Sequence, residues 1–120
     1  MNIKPPRILA PRAASVGLAA LHDEMMQERA ATLGRVTRAF EEALAAFLRF
    51  EAETDLDQAH WSARRERLLD RAGEALWCFV VQREAFGLRN TEAVLRELRV
   101  PMAVRLRMGV ARSQPDKRAG

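Results

Sequence analysis

Apolar residues recur every three or four positions along the first half of the chain, which is the spacing of one buried face of an α-helix. The pattern predicts a helix from about Ser15, its expected N-cap, to Glu53. Arg29 and Thr32 interrupt the apolar series and Gly34 follows, so the helix either shifts its register here or bends. The series consists of Leu18, Leu21, Met25, Leu33, Val36, Phe40, Ala43, Phe47 and Phe50.

This helix is long for so small a protein. At about 1.5 Å of rise per residue it spans roughly 58 Å, whereas a compact domain of this size has a radius of gyration of about 13–14 Å. Leu44 and Leu48 widen the apolar face in its second half, which indicates contact with more than one neighbouring helix. A second helix of about thirty residues cannot cover all of it, so we expect a partner to bind the uncovered part.

The second helix is predicted after a break at residues 53–57. Asp57 is its expected N-cap, and Leu56 and Trp61 are spaced as a hydrophobic staple. The helix runs to about Phe86, and Gly87 supplies the left-handed residue that ends it. Residues 76–81 are apolar on every side, which predicts the most enclosed part of the protein. The core face of this helix consists of Leu68, Leu69, Ala72, Leu76, Phe79 and Val80.

Two shorter elements are predicted in the C-terminal third. Asn90 is the expected cap of a short helix, Thr91–Arg99. Pro101 starts a new element in which residues 104–108 alternate like a strand, but because no other segment has a strand pattern, we favour a short helix. The predicted fold is all-α: a long antiparallel helical hairpin plus one or two short C-terminal helices. Its predicted organisation is a flexible N-terminal arm over residues 1–12, a single helical domain over 13–109 and a disordered basic tail over 110–120.

The apolar faces of the two long helices predict a self-associating protein-interaction module, most simply a coiled-coil-like homodimer in a four-helix arrangement. The pattern alone does not divide these residues between an intrachain core and an interface. The candidate interface consists of Leu33, Val36, Phe40, Leu44, Phe47, Phe50, Leu69, Leu76, Phe79 and Val80.

The composition is that of a folded globular domain, with 48% hydrophobic and 30% charged residues. The net charge of +4 is unevenly distributed, because the long helices are slightly acidic and the excess of basic residues lies in the terminal segments. The basic C-terminal third favours an alternative function, accessory nucleic-acid binding through phosphate contacts. A helix-turn-helix motif around Gly87 fits poorly, since Arg83 and Arg96 stand where such motifs need small or aliphatic residues. The candidate phosphate-binding residues are Arg105, Arg107, Arg112, Lys117 and Arg118.

Few residues are suited to catalysis. His22 and His60 are the two histidines, and Asp57 stands three positions before His60, but helix-bundle metal sites gather further Glu-x-x-His pairs that this sequence lacks. Cys78 lies alone in an apolar run, where a thiol forms no intrachain disulfide and behaves as a small hydrophobic group. We therefore predict no catalytic, cofactor or metal site, and a protein that is not an enzyme. The longest apolar run, residues 75–81, is too short to span a membrane, and the cytoplasm is the expected compartment.

The triplet Gln82, Arg83 and Glu84 is the main polar feature of the second helix, since it directly follows the apolar run. Apolar residues lie three and four positions away from Arg83 and Glu84. These two charges predict a buried or half-buried ion pair, within the chain or across a dimer. A binding pocket for a small anion is the alternative interpretation.

One stretch of the C-terminal third is distinctive: residues 77–89 read WCFVVQREAFGLR, and Val100-Pro101 and Arg107-Met108-Gly109 follow. This stretch resembles a group of short, uncharacterised bacterial helical proteins that are classed as a domain of unknown function. The resemblance implies a small cytoplasmic bacterial protein. It brings no known activity, so no site residues are carried over from it.

Overall fold

The computed structural model describes the backbone of residues 4–53 and 58–109, and the side chains of residues 15–53 and 60–109. The regular structure in these ranges is helical: α1 is Lys4–Ala52, α2 is Gln58–Ala85, α3 is Thr91–Glu97 and α4 is Met102–Arg107. The predicted all-α fold is confirmed, and the element after Pro101 is a helix rather than a strand. The predicted cap Asp57, the staple residue Leu56 and the predicted disordered tail lie outside the described residues.

The first helix is longer than predicted, because α1 begins at Lys4 instead of near Ser15. Residues 4–12 are therefore helical where the sequence predicted an extended arm. Pro5 and Pro6 are compatible with this start, since the first turn of a helix needs no backbone N–H donors and the fixed φ of proline suits it. α1 also continues without interruption through Gly34, because one glycine in a helix costs only about 1 kcal/mol relative to alanine.

The chain divides into two compact units, Met1–Thr32 and Leu33–Gly120. In the first unit, every described side chain from Ser15 to Ala31 is exposed to solvent. In the second unit, the four helices share one hydrophobic core.

Contacts between aromatic rings show how the two long helices pair within the second unit. Phe40 stacks on Phe79 with ring centroids 5.3 Å apart, and Phe50 stacks on Trp61 at 5.4 Å. Later residues of α1 thus meet earlier residues of α2, so the helices are antiparallel and the predicted hairpin is confirmed. The buried residues of the core are Phe40, Ala43, Leu44 and Phe47 of α1, Leu69, Ala72, Leu76 and Phe79 of α2, Leu95 of α3 and Val104 of α4.

The apolar run of α2 is less enclosed than predicted. Leu76 and Phe79 are buried, but Trp77 and Cys78 are half-buried and Val81 is 37% exposed. The buried residues of α2 follow one another at intervals of three and four positions, which is a single face of the helix. The packed helices therefore cover part of its circumference only, and the remaining apolar side chains stay open to solvent.

α2 ends in the left-handed turn that Gly87 predicts. Gly87 has a φ of 74°, and its N–H donates to the carbonyl of Glu84 at 3.0 Å. The N–H of Leu88 donates to the carbonyl of Arg83 at 2.9 Å. These two bonds form a Schellman motif, which satisfies carbonyl groups that the helix end leaves without partners. Asn90 occupies the N-cap position of α3 as predicted, but its backbone is left-handed and its side chain makes no capping hydrogen bond.

α3 ends in a second turn of the same kind, with a non-glycine residue in the left-handed conformation. Arg99 has a φ of 55°, and its N–H donates to the carbonyl of Arg96 at 3.0 Å. The N–H of Val100 donates to the carbonyl of Leu95 at 3.1 Å. A side chain at such a position costs about 1–2 kcal/mol, because its Cβ atom crowds the following carbonyl oxygen. Arg99 therefore stores local backbone strain.

We expect Arg99→Gly to raise the free energy of unfolding by about 0.5–1 kcal/mol, since glycine removes the Cβ crowding at the cost of a more flexible unfolded chain. Urea denaturation followed by circular dichroism measures the change. Arg96→Gly is the matched control: Arg96 is exposed and helical, so glycine there should lower stability by about 1 kcal/mol. A loss of stability with Arg99→Gly would contradict the assigned strain.

α4 packs directly against the backbone of α2 at Gly73. A Cβ atom placed on Gly73 would lie 2.7 Å from the carbonyl oxygen of Arg107 and 2.8 Å from its carbonyl carbon. Arg107 also donates from Nη1 to Asp70 at 2.5 Å and from Nη2 to Glu66 at 3.0 Å. The bond to Asp70 is the main cause that raises the pKa of Arg107 above its ordinary value; burial opposes the rise and Glu66 adds to it. A close backbone contact and an arginine shared between two carboxylates thus hold α4 on α2, in addition to Val104 in the core.

Candidate interaction surface

Most of the predicted interface belongs to the intrachain core. Leu33, Val36 and Val80 are half-buried and remain partly accessible. The other seven residues are buried inside the chain, so a partner cannot reach them while the fold is intact. These seven are Phe40, Leu44, Phe47, Phe50, Leu69, Leu76 and Phe79.

A different set of apolar side chains is open to solvent on α1, within the first unit. Leu18 is 66% exposed, Leu21 52% and Met25 47%. Because these residues are three and four positions apart, they lie on one side of the helix, which we call the α1 apolar face. Met26 and Val16 are also exposed but lie off this face by the helical repeat. Because large contiguous apolar patches often mark interaction sites, this face is a candidate interaction surface.

The spacing of the α1 apolar face is visible in the sequence, but the predicted interface lies farther along the helix. The second half of α1 has the same periodicity and the larger side chains, among them Phe40 and Phe47. Large aromatic side chains contribute most to a core as well as to an interface. Their abundance therefore directed the prediction to the residues that the intrachain core uses.

The α1 apolar face borders a shallow groove of about 420 Å³, lined by Leu21, Glu24, Met25, Glu28 and Arg29. Leu21 and Met25 supply apolar surface. Glu24 and Glu28 supply two carboxylates and Arg29 supplies one guanidinium, so the lining has a net negative charge. The groove therefore suits a side chain with an apolar stem and a cationic end, as arginine and lysine have.

Arg83 links the end of α2 to the start of α3, and the predicted ion pair or anion pocket at Arg83 and Glu84 stays a prediction. Its Nε donates to Thr91 Oγ1 at 3.1 Å and its Nη2 to the carbonyl oxygen of Arg89 at 2.8 Å. Its guanidinium also lies 5.8 Å from the centroid of the Phe79 ring. Arg83 is half-buried and Glu84 is exposed, and no charged residue is buried in the part of the chain that the structure describes. Arg83 therefore stabilises the turn between α2 and α3.

Two of the basic residues suggested for nucleic-acid binding are already paired with carboxylates. Arg105 Nη1 lies 3.0 Å from Glu92 Oε1, and Arg107 is held by Glu66 and Asp70. These pairs reduce the positive charge available to phosphates, and nucleic-acid binding stays a prediction. The remaining candidates, Arg112, Lys117 and Arg118, lie outside the described residues.

The structure describes three of the side chains considered for catalysis. His22 and His60 are exposed and Cys78 is half-buried. Among residues 15–53 and 60–109, no three histidine, cysteine, aspartate or glutamate side chains come together as metal ligands. The prediction that the protein is not an enzyme stays a prediction. In the described ranges, no helix combines the length and the apolar character needed to cross a membrane.

An antiparallel hairpin of two long helices, with two short helices packed on it and an apolar face exposed on α1, defines a small all-α protein of the helical-hairpin type. The chain belongs to DUF6665, a family of unknown function, whose sequence model matches residues 7–116. This membership confirms the resemblance seen in the C-terminal third and extends it over most of the chain. No curated protein and no solved structure shows a significant match to the chain.

Proposed function

We propose that this chain is a non-catalytic protein-interaction module that associates with itself, most simply as a two-fold dimer, through the α1 apolar face. The observation that supports the proposal is the exposure of Leu18, Leu21 and Met25 on one side of a helix. Water disfavours such a surface, and two-fold pairing with α1 of a second copy covers this face on both chains at once.

The magnitude of the gain indicates a dimer of modest affinity. Because about half of each side chain or more is exposed, covering one is worth roughly 1–2 kcal/mol, and two-fold symmetry counts each residue twice. The gross gain of roughly 6–12 kcal/mol is comparable with the roughly 4–15 kcal/mol that association costs. Because gain and cost nearly cancel, we expect a weak dimer, with a dissociation constant in the high micromolar range or above.

A second exposed apolar surface, on α4, is smaller. Met102 and Leu106 lie one turn apart on α4 and are strongly exposed. This helix has six residues, so its apolar side offers two large side chains against three on α1. The α1 apolar face is therefore the better candidate for the interface, and α4 provides a matched control.

We expect Leu21→Glu to weaken the dimer by about tenfold to a hundredfold, because a charge replaces an apolar group on both sides of the interface. Size-exclusion chromatography with light scattering at high micromolar concentrations measures the change. The unchanged chain should approach twice its monomer mass of 13.6 kDa at high concentration, and the variant should stay near that monomer mass.

Leu106→Glu is the matched control for this prediction, since Leu106 is a leucine on α4 that is 72% exposed. It should leave the dimer unchanged. A dimer that survives Leu21→Glu and dissociates with Leu106→Glu would move the interface to α4. A monomeric unchanged chain at all concentrations would remove the proposal altogether.

A further inference from the structure

We propose that the α1 apolar face of one copy receives the N-terminal helical segment of a second copy, residues 4–12, so that the two α1 helices pair antiparallel. This inference rests on the proposed self-association and adds the orientation of the two chains and the occupant of the groove. Both surfaces belong to the first unit of the chain.

The charge of the first unit is divided into two helical segments of opposite sign. The segment 4–12 contains three basic residues and no acidic residue. The segment 13–32 contains three acidic residues and one basic residue. The basic residues of the first segment are Lys4, Arg7 and Arg12, and the acidic residues of the second are Asp23, Glu24 and Glu28.

These charges distinguish the two ways in which identical helices can pair. A parallel pair in register places each segment beside its own copy, so that like charges repel at both ends. An antiparallel pair places the basic segment of each chain beside the acidic segment of the other. Because the Debye length is about 8 Å at physiological ionic strength and packed helices lie about 8–10 Å apart, neighbouring charges still interact. Charge complementarity therefore favours the antiparallel pair.

The groove on the α1 apolar face fits the same occupant. Leu21 and Met25 provide apolar surface for the stem of an arginine or lysine side chain, and Glu24 and Glu28 provide carboxylates for its cationic end. The segment 4–12 of a second copy carries side chains of this chemistry. An antiparallel pair brings this segment of one chain to the groove of the other, whereas a parallel pair brings it to its own counterpart.

Charge reversal tests the orientation. We expect Glu24→Lys/Glu28→Lys and Lys4→Glu/Arg7→Glu each to weaken the homodimer by about tenfold, because each variant gives the two segments of the chain net charges of the same sign. A chain that carries all four substitutions should dimerise like the unchanged chain, since the two segments are again opposite. In a parallel dimer the reversals would leave like charges facing like charges, and the affinity would not fall.

Arg112→Glu/Lys117→Glu is the control, since it changes as much charge outside both segments and should not alter the affinity. Two results would overturn the antiparallel pairing while the proposed function stands. Either both two-residue variants dimerise with unchanged affinity, or the four-residue variant does not recover the affinity of the unchanged chain. An unchanged chain that is monomeric overturns both. Circular dichroism on each variant confirms that the helices are intact.

A distance measurement reads the orientation directly. With Cys78→Ala to remove the native thiol, a spin label is attached at Gln27→Cys, an exposed position of α1. If the segments 4–12 and 23–28 face each other, the pair is centred near residue 17 and the two labels lie about 30 Å apart. A separation of about 10–15 Å, as expected for parallel helices in register, would overturn the inference.

Discussion

Replacement of Phe40 by alanine is expected to lower the free energy of unfolding by about 3–5 kcal/mol. Phe40 is fully buried in the core of the second unit and stacks on Phe79 with ring centroids 5.3 Å apart. The substitution removes apolar contact area, leaves a cavity that the neighbouring helices fill only in part, and removes the ring contact, which by itself is worth about 0.5–1.5 kcal/mol. Since small domains have a total stability of about 5–15 kcal/mol, the loss is a large fraction of it.

Urea denaturation followed by far-ultraviolet circular dichroism measures this loss. Leu48→Ala is the control on the same helix: Leu48 is 42% exposed, so its truncation should cost less than about 1 kcal/mol. If Phe40→Ala cost no more than Leu48→Ala, the contact between α1 and α2 would not be the core of the protein.

The substitution Gly73→Ala, which adds a single methyl group, is expected to destabilise the protein by about 1–3 kcal/mol. Helix propensity alone predicts the opposite sign, because alanine stabilises a helix by about 1 kcal/mol relative to glycine. At Gly73, however, the added Cβ atom would collide with the backbone of Arg107, which cannot rotate out of the way as a side chain could. α4 must then move away from α2 and weaken the contacts of Arg107 with Asp70 and Glu66.

Gly34→Ala provides the matched control, since Gly34 also lies inside a long helix. Its Cβ atom would meet the side chain of Arg38 at 3.4 Å, which is an ordinary contact with a flexible group. We therefore expect Gly34→Ala to stabilise the protein by about 1 kcal/mol. Thermal unfolding of the two variants should shift in opposite directions; a shift of both to higher temperature would contradict the close packing of α4 on α2.

The sequence was sufficient to predict the helices of the second unit and their core face. Phe40, Phe47, Leu69 and Leu76 recur at helical intervals, and a surface of that kind must be covered by another such surface. The end of α2 was predictable as well, because Gly87 is the residue type that a left-handed turn requires.

The start of α1 was not predictable in the same way. Prolines suit both an extended segment and the first turn of a helix, so Pro5 and Pro6 do not decide between the two. The sequence also does not show which apolar residues are buried in the core and which stay exposed. Leu18 and Phe40 belong to stretches of equal periodicity, and only tertiary contacts make the first exposed and the second buried.

Two contacts of the second unit depend on residues far apart in the sequence. Arg83 meets Thr91 only after the turn at Gly87 has formed, so its sequence neighbours gave no sign of this contact. From the sequence alone, Gly73 is an unfavourable residue inside a helix. Its small size matters because the backbone of Arg107 lies beside it. Such effects follow from the packing of whole elements and leave no local pattern.

The continuity of α1 explains how a helical stretch with exposed side chains on all sides can exist before any partner binds. Starting a helix is the unfavourable step, with a nucleation constant of about 10⁻³, whereas each further residue adds a hydrogen bond. The stretch from Phe40 to Phe50, held in the core, supplies that nucleus. The residues from Ser15 to Ala31 need only propagate it, and their many alanines, leucines and methionines favour propagation. The proposed second molecule would thus meet a preorganised surface, and its binding would not have to order that surface.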